Sequence, residues 1–356
     1  MKLLIAGGGT GGHVFPALGV AREWLARGAE REVVFVGTQR GLEAKLIPAA
    51  GLPLETIRVA GLKGIGGARF LRNAAMLPAA LWDSAAILRR HRFAAAFGVG
   101  GYAAGPMILT AALRRVPAVI FEPNAEPGLT NRWLAPFARR VATAWEWTAE
   151  RWGAKGVVTG CPVRREFFEA PVREPKPPFR LLITGGSRGA APINSAVVGA
   201  LELLETRSGE LFAVHQTGER DYNDVRGAYA RRKLQAEVVP FLEPMADQFA
   251  RADLIVCRSG AITVAELAAA GRAAILIPFG AATDSHQLAN ARVLERAGAA
   301  RLLPQTELTP QRLAQEIFAL LDEPARIREM AARARALARP RAAEAIVDLL
   351  DEVARR

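Results

Sequence analysis

The 356 residues exceed one typical domain, and a hydrophobic content of 51% with 23% charged residues describes a folded globular chain able to bury substantial cores. Net charge is +12 and uneven, with 20 Lys and Arg against 10 Asp and Glu in residues 1–160, but 27 against 25 in residues 161–356. Two cysteines, Cys161 and Cys257, exclude a disulfide framework, and the short apolar opening of MKLLIAGGG excludes a signal peptide or a membrane-spanning helix.

In chain order, LLIAGGGTGG at 3–12 predicts a buried strand, a glycine turn and a helix through VFPALGVAREWLARG. Strands follow at 33–37, 94–100, 118–122, 140–144 and 156–160, separated by helical stretches. Residues 68–93 place Phe70, Ala74, Leu77, Leu81 and Leu88 at helical spacing beside Arg69, Arg72, Arg89, Arg90 and Arg92. That pattern fits either an amphipathic core helix or one touching an anionic leaflet. Residues 169–180, with Pro171, Pro175, Pro177 and Pro178, read as a linker. LLITGGSRGA at 181–190 then repeats the opening pattern 178 residues on, and strands are predicted at 211–218, 236–241, 253–259 and 273–279. Short apolar runs between glycine or proline breaks are the mark of parallel strands buried on both faces, so two doubly wound α/β domains are expected in tandem. A last helix is expected over 341–353.

Three glycine turns at strand ends, at 7–12, 98–101 and 185–190, imply ligands that carry phosphate. Gly7, Gly9 and Gly12 fit the dinucleotide pattern, but Thr38, Gln39 and Arg40 follow the second strand where an NAD enzyme needs an acid for the ribose. Arg40 leaves an NADP-dependent oxidoreductase as an alternative. His13, just inside a helix that starts at a phosphate-type loop, is a candidate general base, its neutral form favoured by the positive helix end. CRSGAITVAELAAAG at 257–271 reads as a strand end, a Ser259 N-cap and a helix closed by Gly271, with Glu266 two turns in, suited to ribose hydroxyls. Asp284, His286, Gln287 and Asn290 crowd a following turn, a set of donors and acceptors that suits a sugar. No Asp-x-Asp element, metal-ligand spacing, Walker loop or nucleophile elbow occurs, so a departing diphosphate would rest on amides, helix ends and Arg, with no metal and no cofactor. No nucleic-acid-binding motif is present.

Taken together, GGGTGGHVFPAL, GVGGYAAGP, FEPNAEPGLTNRWL, GCPVRREF, GGSRGA, CRSGAITVAELAAAG and DSHQLANA resemble, in order and over about residues 1–350, the MurG family of N-acetylglucosaminyltransferases. The resemblance implies a GT-B fold of two Rossmann-like domains facing across a cleft. Residues 1–160 plus 340–356 would form the acceptor- and membrane-facing domain, and 161–339 the UDP-GlcNAc domain. It implies that Thr10, Gly11 and Gly12 lie by the donor sugar and the transferring centre, with Gly100, Gly101 and Tyr102 as acceptor diphosphate loops. Asn124 would hold the sugar, Arg164 and Ser187 the nucleoside diphosphate, and Leu242 the uracil through its backbone. Ala261, Ile262 and Thr263 would present amides to phosphate, Glu266 would take the ribose, Gln287 the GlcNAc hydroxyls, and His13 the proton. The implied reaction is an inverting, metal-independent transfer of GlcNAc to the C4 hydroxyl of MurNAc in undecaprenyl-diphosphate-linked lipid I, at the cytoplasmic face of an anionic membrane. The related alternative is a GT-B transferase acting on a diacylglycerol or small aglycone, and an epimerase would share the fold. Pro123 and Cys161 depart from the residues more usual in the family.

Overall fold

The computed structural model describes residues 1–61, 67–279 and 285–355, except for the side chains of residues 68–70 and 285. Asp284 and the side chains of Arg69 and Phe70 therefore lie outside the described residues. The chain divides into two compact units, Met1–Val163 with Arg339–Arg356, and Arg164–Ala338.

In the first unit a parallel sheet runs through β1 (Lys2–Ala6), β2 (Glu32–Gly37), β3 (Leu54–Thr56), β4 (Ala95–Gly98), β5 (Ala118–Glu122), β6 (Arg140–Thr143) and β7 (Gly156–Val158), in the spatial order β3-β2-β1-β4-β5-β6-β7. Leu3, Leu4, Ile5 and Ala6 are all essentially inaccessible, as a strand covered on both faces requires. The helix Ala104–Leu113 lays Met107, Ile108 and Ala111 against Leu4, Ala6 and Ile120. The larger of these, Met107, Ile108, Leu4 and Ile120, each contribute roughly 1.5–3 kcal/mol of hydrophobic stabilisation.

The second unit repeats the plan with β8 (Phe179–Thr184), β9 (Leu211–Gln216), β10 (Gln235–Val239), β11 (Leu254–Cys257), β12 (Ala273–Leu276) and β13 (Ala300–Leu302), in the order β10-β9-β8-β11-β12-β13. The helix Ala191–Glu205 buries Ile193, Val197, Leu201 and Leu204, one stripe at helical spacing, in a core with Leu181, Ile183 and Ile317. Both sheets reverse direction of growth once, between β1 and β4 and between β8 and β11. Ligands of open α/β sheets bind outside the carboxyl ends of strands at such points. The glycine turns after β1, β4 and β8 therefore sit where the topology opens a crevice in each unit.

Three expectations change. The stripe over 68–93 is two helices, Gly67–Ala74 and Leu77–Arg90, because Pro78 has no N–H to bond residue 74 and its ring would crowd that carbonyl. The second helix faces inward with Ala80, Ser84 and Ile87, while Leu81 turns out to solvent with Trp82. The proline-rich segment does not mark the crossing between units, which falls earlier, at Val163–Arg164. That segment belongs to the second unit, where Arg335 donates to the carbonyls of Phe168 and Ala170, and buried Arg272 donates to that of Pro171. Short edge strands β3 and β13 are additional to those expected. The final helix, Ala342–Arg355, joins the first unit, with Arg27 bonding Asp348 at 2.7 Å and Arg31 pairing with Asp351 at 3.0 Å.

Candidate active site

In the first unit the two glycine turns interlock. Gly100 and Gly101 adopt φ of 89° and 80°, and a Cβ on Gly101 would overlap the Gly8 backbone. Thr10, extended and exposed, precedes the helix Gly11–Ala26, with Gly11 and Gly12 opening its first turn. Its hydroxyl makes no cap bond and lies 3.3 Å from His13 Nδ1. His13 Nδ1 is 3.0 Å from Gly8 O, and a carbonyl can only accept, so Nδ1 carries the hydrogen and Nε2 the lone pair. The Nε2 edge faces Gly100, where a Cβ would come within 3.0 Å of it. Burial is the main cause holding the half-buried imidazole below its usual pKa, against the Gly8 carbonyl and the charges of Glu122 and Glu43. Burial thus favours the neutral imidazole and keeps His13 able to accept a proton at neutral pH.

Two buried carboxylates that sequence reasoning missed shape these loops. Glu43 takes the N–H of Gly9 at 2.6 Å, and the N–H and hydroxyl of Thr38 at 2.9 and 2.8 Å. Although burial opposes ionisation, these donors keep its carboxyl below the usual range. A carboxylate bonded to a loop amide that a dinucleotide's pyrophosphate would use opposes the NADP reading. Glu122 accepts from the N–H and side-chain amide of Asn124 at 3.0 and 2.9 Å, from Gly128 N–H at 2.8 Å and from Asn131 at 2.9 Å. Asn124 is thereby oriented rather than loose. Tyr102 is exposed beside Gly61.

The second unit gathers its own set. The helix Ala261–Ala270 starts from Gly260, not Ser259, and has no side-chain cap, so the amides of Ala261, Ile262 and Thr263 face its open end. Ser259 instead donates its hydroxyl to Gln287 O at 2.8 Å, and Asn290 donates to Ser259 O at 3.3 Å. Gln287 accepts the Phe279 N–H at 2.9 Å through its amide oxygen, which leaves the NH2 as its donor end. Glu266 is not an exposed helix charge: its side chain is 15% accessible, and desolvation pushes its pKa up to about 7 despite Arg164 at 3.8 Å. Gly271 closes the helix in the left-handed region. Ser187 is exposed at the tip of its turn. Gln216, fully buried and absent from the sequence-based set, links that turn to Leu242 by donating to Gly186 O at 2.8 Å while accepting Leu242 N–H at 3.4 Å.

Behind this set lies a buried relay. Tyr229 OH stands 3.4 Å from His215 Nδ1, His215 Nε2 stands 3.1 Å from Asn194 Oδ1, and the Asn194 amide donates at 2.9 Å to both Thr217 O and Asp221. Thr217 O in turn abuts Gly189, where a Cβ would overlap it. Desolvation lowers the His215 pKa to about 3, so it is a neutral structural histidine. Among the described residues no group of three or more His, Cys, Asp or Glu is arranged to hold a metal ion.

Two doubly wound units, with glycine turns at their switch points, an uncapped helix end backed by a carboxylate and an amide, and a neutral histidine, define a glycosyltransferase of the GT-B fold. Residues 3–143 match the glycosyltransferase family 28 N-terminal domain and residues 180–346 its C-terminal domain. Among relatives, a UDP-N-acetylglucosamine–N-acetylmuramyl-(pentapeptide) pyrophosphoryl-undecaprenol N-acetylglucosamine transferase of Pelobacter propionicus is 45% identical over 98% of both chains. That of Syntrophotalea carbinolica is 47% identical over 98% of this chain and 97% of its own. The crystal structure of Acinetobacter baumannii MurG superposes with a TM-score of 0.80 at 33% identity, covering 99% of each chain. The chain belongs to the MurG family.

Proposed function

We propose that the protein transfers GlcNAc from UDP-GlcNAc to the C4 hydroxyl of MurNAc in lipid I, giving lipid II. The observation that carries this reading is the grouping in the second unit of the open amides of Ala261, Ile262 and Thr263, the Glu266 carboxylate and the Gln287 side-chain amide. These are matched in turn to diphosphate, ribose and sugar hydroxyls. Arg164 and Ser187 add a charge and a hydroxyl for the diphosphate, and Leu242 offers backbone to uracil.

In the first unit, His13 Nε2 takes the proton of the C4 hydroxyl as its oxygen attacks C1 of GlcNAc. The bond from C1 to the diphosphate oxygen breaks with inversion, and UDP leaves with the electron pair. Helix-end amides and Arg164 receive the charge that develops on it. Thr10, Gly11, Gly12 and Asn124 serve the sugar in transit, and Gly100, Gly101 and Tyr102 the acceptor diphosphate.

The acceptor carries a polyprenyl tail, and the first unit is suited to meet it at a membrane. Trp82, Leu113 and Trp133 are 66%, 70% and 71% exposed on three successively packed helices, beside Arg89, Arg114 and Arg132. Apolar side chains ringed by Arg bind an anionic leaflet from the cytoplasmic side. No helix among the described residues is long and apolar enough to cross a membrane.

The test is transfer of labelled GlcNAc to a lipid I analogue with and without chelator. Undiminished product in chelator is expected, and dependence on a divalent ion would contradict the scheme. His13→Ala should lower kcat by about two to four orders of magnitude. A wild-type rate would remove His13 as the base.

A further inference from the structure

The contacts behind His13 form a continuous line. Its Nδ1–H donates to Gly8 O at 3.0 Å, and the N–H on the opposite side of that same peptide group, that of Gly9, donates to Glu43 Oε2 at 2.6 Å. One peptide plane therefore separates the imidazole from a carboxylate that is 1% exposed. The other carboxylate oxygen is fixed by two donors from Thr38, at 2.9 and 2.8 Å. Gly8, Gly37 and Gly41 wall the side chain so closely that a Cβ on any of them would overlap it.

A negative charge at a peptide N–H polarises the group and makes its carbonyl oxygen a stronger acceptor. In a Ser-His-Asp triad the carboxylate touches Nδ1–H directly, fixing the tautomer and stabilising the imidazolium. Here the same two effects reach His13 through the Gly8–Gly9 peptide.

We propose that Glu43 is a positioning residue for His13, acting through this peptide group to hold the Nδ1–H tautomer and to stabilise the imidazolium formed during transfer. The proposal rests on His13 as the base. The proton moves from the acceptor hydroxyl to Nε2, Nδ1 keeps its own hydrogen on Gly8 O, and Glu43 stays ionised throughout. The titratable groups whose charges act on His13 are Glu122 and, less strongly, Glu43. Glu122 spends its bonds on Asn124, Gly128 and Asn131, so among the described residues the bonded path through the Gly8–Gly9 peptide belongs to Glu43.

The experiment is NMR titration of the full chain carrying 15N- and 13C-labelled histidine, with pH–rate profiles alongside. In Glu43→Gln, the His13 pKa should fall by roughly half a pH unit or more. The acid limb of kcat/KM should move down with it, and kcat should drop roughly ten- to hundredfold, as for outer partners of a working histidine. The KM for UDP-GlcNAc should hold. Thr38→Val takes a donor from the other carboxylate oxygen, so it should lower stability yet leave the His13 titration in place. An unchanged His13 pKa and tautomer in folded Glu43→Gln overturns the proposal. So does an Nε2–H tautomer in the unaltered protein, a measurement that holds even if the variant does not fold. Full activity of His13→Ala would instead remove the base assignment, leaving the titration to judge the link itself.

Discussion

Replacing Glu266 by Gln should push stability and donor binding in opposite directions. Desolvation raises the carboxyl from 4.5 to about 7 in the folded chain, while the unfolded chain retains the ordinary value. A raised carboxyl pKa means the folded state favours the proton, so the benefit is complete below pH 4.5 and is lost as pH climbs through about 7. At about 1.4 kcal/mol per pH unit, the ionised form costs on the order of 3 kcal/mol by pH 8 and almost nothing at pH 4. Gln has the same shape without that charge. Urea unfolding of Glu266→Gln should therefore show added stability at pH 8 that vanishes at pH 4, with m unchanged. UDP affinity should behave oppositely. The ionised fraction of a group titrating at about 7 rises roughly tenfold between pH 6 and pH 8, so affinity in the native protein should rise about as much, and calorimetry on the Gln variant should show a flat, weaker profile. A Gln variant no more stable than the parent at pH 8, or one keeping the parent's pH-dependent affinity, would refute the reasoning.

Gly100→Ala places a methyl against the His13 Nε2 edge at a φ of 89°, and should lower kcat about a hundredfold while UDP binding measured by calorimetry stays constant. Asn194→Ala strands the His215 N–H and the Thr217 carbonyl, and should cost about 2–4 kcal/mol in urea unfolding. With its pKa depressed from 6.5 to about 3, His215 leaves the unfolded chain holding the extra proton, so acid titration should show stability falling through that window. Trp82→Ser should weaken co-sedimentation with anionic vesicles severalfold, most visibly at high salt, without changing the rate on a short-chain soluble acceptor.

The strand at Ala118–Glu122 was legible to the residue, because four apolar residues and a closing Glu122 lie between the breaks at Pro117 and Pro123. β3 and β13 were not, since three residues at a partly exposed sheet edge carry no such run. Within the site, turns such as 7–12 announce themselves through glycine. Glu43 does not: it lies 34 residues from Gly9, and only the β1–β2 crossover brings them together. Gln216 is hidden for the same reason, its two partners being main-chain groups in separate loops. Whether the Leu81 side of its helix faced the core or solvent was not legible either, because periodicity marks a stripe but not which side of a helix meets the sheet.

The arginine clamps on the proline-rich segment fix where the second unit can be cut. A fragment beginning at β8 would lack Phe167, which packs edge-on to Phe249, and Arg173, which pairs with buried Asp253 at 2.9 Å. It would also leave the Arg272 and Arg335 guanidinium groups short of three carbonyl acceptors. The compact second unit thus starts at Arg164, and the run of prolines works as mortar within it rather than as slack ahead of it.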